Sequence, residues 1–258
     1  MSKPYKIGVS LSGGGARGIA HAGILKAFED HLISPEIISG TSAGSIIGAL
    51  YAAGMKPAEI LTFAEENQLW KAIRFGFPIT GLTDLSYLKD QISAHITDDR
   101  FEALEKPLHL AVTNLNTGQA EIRHKGPLLD TVLASCSIPL VFKPVEIEGQ
   151  LYVDGGVLNN LPALCLREQC DILIGVNVMP HIDQANEDLN SMTEIAIRSF
   201  ELSIWQNTEP QIAHCDYFIQ PNALKQFHIF QFSKAKEIYE VGYEEGMKVI
   251  PDILKEIL

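Results

Sequence analysis

The feature that most constrains this chain is a strand, a glycine-containing turn and a helix, used twice in succession near its start. Lys6–Leu11 reads as a buried strand that runs into Ser12-Gly13-Gly14-Gly15-Ala16-Arg17-Gly18, and a helix follows from about Ile19 to His31. Glu36–Ser39 reads as a second short strand that stops at Gly40, with a helix starting at about Ala43. Strands that alternate with helices in this way bury their apolar faces by layering. The pattern continues: helices at Pro57–Asn67, Leu85–Ile96 and Leu128–Cys136, and strands at Leu108–Asn114, Gln119–His124, Val145–Ile147 and Leu151–Val153. Ile172–Val178 is a continuous apolar run, the signature of a central strand covered on both faces. Long helices are expected at Met192–Asn207 and Ser233–Met247, and Trp70–Leu82 reads as a loop. The expected fold class is α/β, a mainly parallel central sheet sandwiched by helices. With no Pro/Ser linker, low-complexity tract or internal repeat in 258 residues, one domain over 1–258 is expected.

Composition excludes several function classes. A formal net charge of -12 opposes binding to nucleic acid, whose phosphates the mean field repels. Cys136, Cys165, Cys170 and Cys215 form no C-x-x-C pair and no zinc-ligand spacing, so neither a metal nor a cofactor is expected. No apolar run reaches the ~20 residues that span a bilayer. The start, Met1–Lys6, leads into a strand and not into a signal peptide, so a cytoplasmic location is expected, with peripheral membrane contact left open.

Gly40-Thr41-Ser42-Ala43-Gly44 is G-x-S-x-G at a strand–helix junction. Such a turn strains the serine backbone, presents its hydroxyl at the carboxyl end of a strand, and aims the positive end of the next helix at the reacting centre. Ser42 or Thr41 serving only to cap that helix is the plain alternative. Ser12–Gly18 offers several backbone N–H groups to one point, a nest for negative charge. Gly13–Gly18 also satisfies G-x-G-x-x-G, so a non-catalytic anion- or nucleotide-binding module is the competing reading. It lacks a G-K-[ST] end, and Glu36 is the nearest acid to the position where a ribose-binding carboxylate belongs. Arg17, at a helix start where the dipole disfavours it, is suited to holding the loop carbonyls or an anionic head group. For a partner base, His181 is the best-placed of the eight histidines, and Asp154-Gly155-Gly156 follows a strand with two glycines that allow close approach to another loop.

Taken together and in this order, these motifs resemble the patatin-like phospholipase family. G-G-G-x-R-G follows the first strand, G-T-S-A-G comes shortly after, and D-G-G comes later. Ser135-Cys136-Ser137-Ile138-Pro139, Phe142, Pro144, Tyr152-Val153-Asp154-Gly155-Gly156 and Asn159-Asn160-Leu161-Pro162 look like the segment around that family's aspartate. The resemblance covers about Lys6–Val178 and, more loosely, Gly242 and Tyr243, and the chain looks like a minimal, bacterial-type member. It implies a patatin-like three-layer architecture and a serine lipid acyl hydrolase of phospholipase A/esterase type. It assigns Ser42 as nucleophile and Asp154 as proton acceptor, a dyad that needs no histidine. Gly13, Gly14, Gly15 and Arg17 match the oxyanion loop, supported by Gly18, Gly40, Gly44, Gly155 and Gly156. A lipid or acyl ester is the implied substrate. Trp70, Ile73, Phe75, Phe77, Pro78 and Ile79, with Lys71 and Arg74 among them, form a candidate lid or interfacial loop, and a loop packed on the core is the plain alternative.

Overall fold

The computed structural model describes residues 3–66, 85–185 and 189–257. An eight-stranded sheet runs in the order β5-β6-β3-β2-β1-β7-β8, with β4 paired to β3. The strands are β1 (Tyr5–Leu11), β2 (Ile37–Gly40), β3 (Leu108–Asn114), β4 (Gln119–Arg123), β5 (Val145–Ile147), β6 (Gln150–Asp154), β7 (Cys170–Val176) and β8 (Tyr217–Ile219). β3, β2, β1, β7 and β8 are mutually parallel, and β4, β5 and β6 add antiparallel pairings at one side. The helices are α1 (Ile19–Asp30), α2 (Ala43–Ala52), α3 (Pro57–Glu66), α4 (Ser86–Ser93), α5 (Leu128–Ser135), α6 (Leu164–Arg167), α7 (Met192–Ile212) and α8 (Ala235–Ile257).

Alternation along the strands divides the core into two faces. Ile7, Val9 and Leu11 of β1, Ile38 of β2 and Ile172, Ile174 and Val176 of β7 bury against α1, α2, α3 and α8. Ile37 and Leu173 point the other way and pack on Leu161, Ala163 and Leu166, with Ile212 of α7 alongside. The central sheet flanked by helices is therefore the expected one. α1 and α8 lie close together: Tyr243 N and the Tyr239 carbonyl fill the space where a side chain at Gly23 would stand. That seat explains the sequence signal at Gly242 and Tyr243, because α8 braces the helix that carries the glycine-rich loop.

β3 places the site. One edge of β3 is taken by β4 from Leu110 to Asn114. The other edge is shared by β2, whose Gly40 lies opposite Leu110, and β6, whose Asp154 lies opposite Val112. β2 runs parallel to β3 and β6 antiparallel to it, so the two strands approach each other head-on. Their C-terminal residues end two positions apart along β3, and the loops that follow are pressed together.

Two helices run further than expected. α7 continues through Pro210 to Ile212, and α8 continues through Pro251 to Ile257. A proline forfeits one helical hydrogen bond, and packing of Ile250 and Ile253 into the core carries α8 past it. β8 and α6 were not anticipated, being three and four residues long. The expected loop Trp70–Leu82, and the lid within it, lie outside the described residues. Among the described residues no helix is long and apolar enough to cross a membrane.

Candidate active site

Ser42 has φ 51° and ψ −121°, a backbone conformation that a side chain normally forbids and that costs about 1–3 kcal/mol. Its neighbours hold it there. Thr41 N–H donates to the Leu11 carbonyl (3.1 Å) and Gly44 N–H to the Thr41 carbonyl (2.8 Å). Ser42 N–H donates to Ser135 Oγ at 2.8 Å, and that hydroxyl passes its own proton to the Ala111 carbonyl at 2.8 Å. Ser45 Oγ (2.6 Å) and Cys136 Sγ (3.3 Å) both donate to the Ser42 carbonyl. The Ser42 side chain makes no capping hydrogen bond to α2, and Thr41 Oγ1 donates to the Asn159 carbonyl at 2.9 Å. The turn therefore exceeds what a helix cap requires.

Asp154 is 1% exposed. Its main chain is tied on both sides: its N–H donates to the Ser137 carbonyl (3.0 Å) and its carbonyl accepts from Thr113 Oγ1 (3.0 Å). Oδ1 accepts from Gly156 N–H at 2.8 Å, while Oδ2 is buried with no hydrogen-bond donor among the described residues. Burial pushes this carboxyl up to about 7, against smaller downward pulls from Gly156 N–H and the Ser42 side chain. The structure thus brings Ser42 and Asp154 together.

The glycine-rich loop closes the site from a third side. Gly13 packs directly on the serine: a side chain there would reach within 3.1 Å of Ser42 Cβ. Gly15 has φ +56°, and a side chain would run into the Ile229 carbonyl. Gly13 N–H donates to the Asn160 carbonyl (3.2 Å) and Ala16 N–H to the Ile229 carbonyl (2.7 Å). The Gly14 and Gly15 N–H groups between them pair with no acceptor among the described residues. Gly18, Gly40, Gly44 and Gly155 sit where these loops touch one another.

Of the two roles expected for Arg17, a hold on the loop carbonyls is not seen among the described residues. Its Nε donates to the Phe227 carbonyl at 2.8 Å, and Nη1 approaches Met179 Sδ at 3.6 Å. Burial lowers its pKa, partly offset by Glu201. The loop is therefore anchored to Phe227 and Ile229 by a side chain and a backbone bond together. His21 was not anticipated. Its Nε2 lies 2.8 Å from the Ser12 carbonyl, which can only accept, so Nε2 carries the proton. Burial holds His21 down at about 4, so the ring stays neutral. One histidine on an apolar helix gives no sequence signal for this role. His181 is exposed, lies against Trp205 with ring centroids 3.9 Å apart and the rings tilted by 35°, and lies 3.6 Å from Asp183. None of its contacts reaches the serine.

A narrow apolar cavity of about 40 Å³ lies beside the site, walled by Gly18, Ala43, Ile46, Ile47, Phe63 and Leu88. Ala43, the residue after Ser42, forms part of its wall. Among the described residues no group of three or more His, Cys, Asp or Glu side chains could hold a metal.

An α/β sheet whose strand ends gather a serine elbow, a glycine nest and a buried Asp-Gly-Gly turn defines the class of protein. A patatin-like phospholipase model matches residues 9–166, and the chain belongs to that family. It is 29% identical over 278 aligned positions to the lysophospholipase NTE1 of Eremothecium gossypii, covering 96% of this chain and 18% of that protein. It is 28% identical to human patatin-like phospholipase domain-containing protein 6, covering 94% of this chain and 20% of the human one. The chain thus spans about a fifth of the length of these relatives. In fold it is similar to VipD from Legionella pneumophila (TM-score 0.52, 16% identity, 96% of this chain and 67% of that one). It is likewise similar to ExoU in its complex with SpcU from Pseudomonas aeruginosa (TM-score 0.52, 17% identity, 98% and 52%).

Proposed function

We propose that this protein is a serine lipid acyl hydrolase in which Ser42 is the nucleophile and Asp154 its base. The observation that carries the reading is the pairing of a strained serine with a buried carboxylate raised to about 7. An ordinary carboxylate is too weak a base for a hydroxyl, and raising it toward neutrality improves the match. Asp154 takes the Ser42 proton as Oγ attacks the ester carbonyl. The leaving alcohol departs with that proton, and water then hydrolyses the acyl-serine. The Gly14 and Gly15 N–H groups and the N-terminus of α2 face the negative charge that develops on the carbonyl oxygen, worth ~3–4 kcal/mol per well-placed donor in other hydrolases. The acyl chain enters beside Ala43, toward the apolar cavity walled by Ile46, Ile47, Phe63 and Leu88. The names of the relatives favour a lysophospholipid, a single-chain lipid, as substrate.

A fluorophosphonate probe tests this reading directly. Mass spectrometry is expected to find one adduct, on Ser42, which Ser42→Ala abolishes together with release of fatty acid from lysophosphatidylcholine. Labelling elsewhere, or full hydrolysis by Ser42→Ala, refutes it. Stabilisation by phosphate or nucleotide with no labelling supports the anion-binding module instead.

A further inference from the structure

Asn160 is fully buried, and its side-chain Oδ1 has no hydrogen-bond donor among the described residues. Its amide orientation is set from behind. Nδ2 faces Thr208 Oγ1 at 3.4 Å, and the Thr208 hydroxyl gives its only proton to the Ile204 carbonyl at 2.7 Å. Thr208 can therefore only accept from Asn160, so the NH2 end must face it and Oδ1 must face the site. The backbone fixes the residue as well: Asn160 N–H donates to Asn207 Oδ1 (2.8 Å), and its carbonyl accepts from Gly13.

Oδ1 points at the catalytic junction. The volume a side chain at Gly13 would fill lies 2.5 Å from Asn160 Oδ1 and 3.1 Å from Ser42 Cβ. The corresponding volume at Gly156 lies 3.2 Å from Asn160 Oδ1 and 3.0 Å from Asp154 Oδ1. Asn160 Oδ1 and the Asp154 carboxyl thus border Ser42, whose side chain hydrogen-bonds that carboxyl, while Asn160 Oδ1 is left without a donor among the described residues. A buried acceptor without a donor carries a desolvation cost and calls for an explanation. Acylation removes the Ser42 proton, so in the acyl-enzyme the Asp154 carboxylate loses that donor too, and a water with its two O–H groups satisfies both acceptors.

We propose that Asn160 Oδ1 and the Asp154 carboxylate together seat the water that deacylates Ser42. The inference rests on the Ser42–Asp154 reading. In the acyl-enzyme, one O–H of the water points to Asp154 and the other to Asn160, which directs a lone pair at the ester carbon. The water oxygen bonds to that carbon while Asp154 takes the first proton. The carbon–Oγ bond then breaks, and Asp154 returns the proton to Ser42 Oγ. The second proton, held by Asn160, leaves on the carboxylic acid. Asn160 does not enter acylation, because Ser42 has a single proton and gives it to Asp154.

Methanol separates these roles, since its one O–H engages Asp154 and leaves nothing for Asn160. With p-nitrophenyl butyrate as substrate, Asn160→Leu is expected to keep the burst of nitrophenol but slow steady-state turnover by about tenfold or more. In added methanol its ratio of methyl ester to free acid rises by a similar factor. Thr208→Val keeps Asn160 but frees its amide to rotate, and it should move the same ratio in the same direction by about threefold. It also supplies the test if Asn160→Leu fails to fold. Equal loss of burst and turnover, or an unchanged product ratio in a folded variant of either kind, overturns the assignment. Absence of any burst in the wild type, with activity surviving Ser42→Ala, overturns the acyl-serine reading instead.

Discussion

Replacing Asp154 by asparagine should abolish activity and stabilise the fold, and the stabilisation should depend on pH. Asp154 ionises at about 7 in the folded protein against an ordinary 3.8. Below about pH 4 the carboxyl is protonated in both folded and unfolded chains, and ionisation contributes nothing. As pH rises through the interval, the unfolded chain releases its proton first, so stability falls until the folded carboxyl also ionises near 7. The shift of about three units corresponds to about 4 kcal/mol, fully lost above about pH 8. Asparagine removes that loss while keeping the shape, since its Oδ1 still accepts from Gly156 N–H. Its NH2 end would sit where Oδ2 now lacks a donor. Urea denaturation of both proteins at pH 4, 6, 7 and 8.5 measures the effect, and every other titrating group cancels in the difference. The expected result is near-equality at pH 4 and an advantage for Asp154→Asn of up to about 4 kcal/mol at pH 8.5. A difference independent of pH, or a wild type that gains on the variant as pH rises, refutes a carboxyl raised by burial.

The proposed dyad makes the same group govern the rate. In the proposed dyad only ionised Asp154 accepts a proton, so kcat/KM should climb about tenfold per pH unit below 7 and level off above it, which stopped-flow ester hydrolysis measures. A limb near pH 4 would mean that another base acts. Ser42→Gly and Ser42→Ala should both be inactive, but glycine relieves the φ 51° strain and should be more stable than alanine by about 1 kcal/mol in chemical denaturation. Arg17→Met should lower stability by about 1–3 kcal/mol by leaving the Phe227 carbonyl unpaired, and should reduce kcat more than it raises KM as the loop loosens.

How far the sequence reaches depends on the kind of signal. β7 and β1 were legible because a strand covered on both faces must be apolar throughout, and Val9, Leu11, Ile174 and Val176 are fully buried. The serine turn and the D-G-G turn were legible because close approach of backbones admits only small residues, which leaves a mark at fixed positions. β8 was not, since a three-residue edge strand is held by one parallel neighbour and needs no pattern of its own. The proline-crossing ends of α7 and α8 were misread because local propensity stops a helix where tertiary packing continues it. Arg17 could be flagged by its awkward place at a helix start, but its acceptor lies 210 positions away at Phe227, a pairing no local reading supplies. His21, through one hydrogen bond, and Thr208, through two, act from within helices and leave no trace in spacing or composition.

The direction of β6 accounts for the kind of base proposed for this site. Parallel strands deliver their carboxyl ends to one rim of the sheet, where loops gather ligands and nucleophiles. β1 and β2 do this with the glycine loop and the serine elbow. A base arriving on another parallel strand would stand beside Ser42 and share that open rim. Asp154 instead arrives on an antiparallel strand along the same edge of β3, beyond the end of β2, and is enclosed by β3, the Ser137 backbone and the elbow. Enclosure raises its pKa, whereas a histidine in such a place would be driven down by the same desolvation, as His21 is. A carboxylate is the side chain that burial moves toward neutrality from below, so this topology suits an aspartate and works against an imidazole.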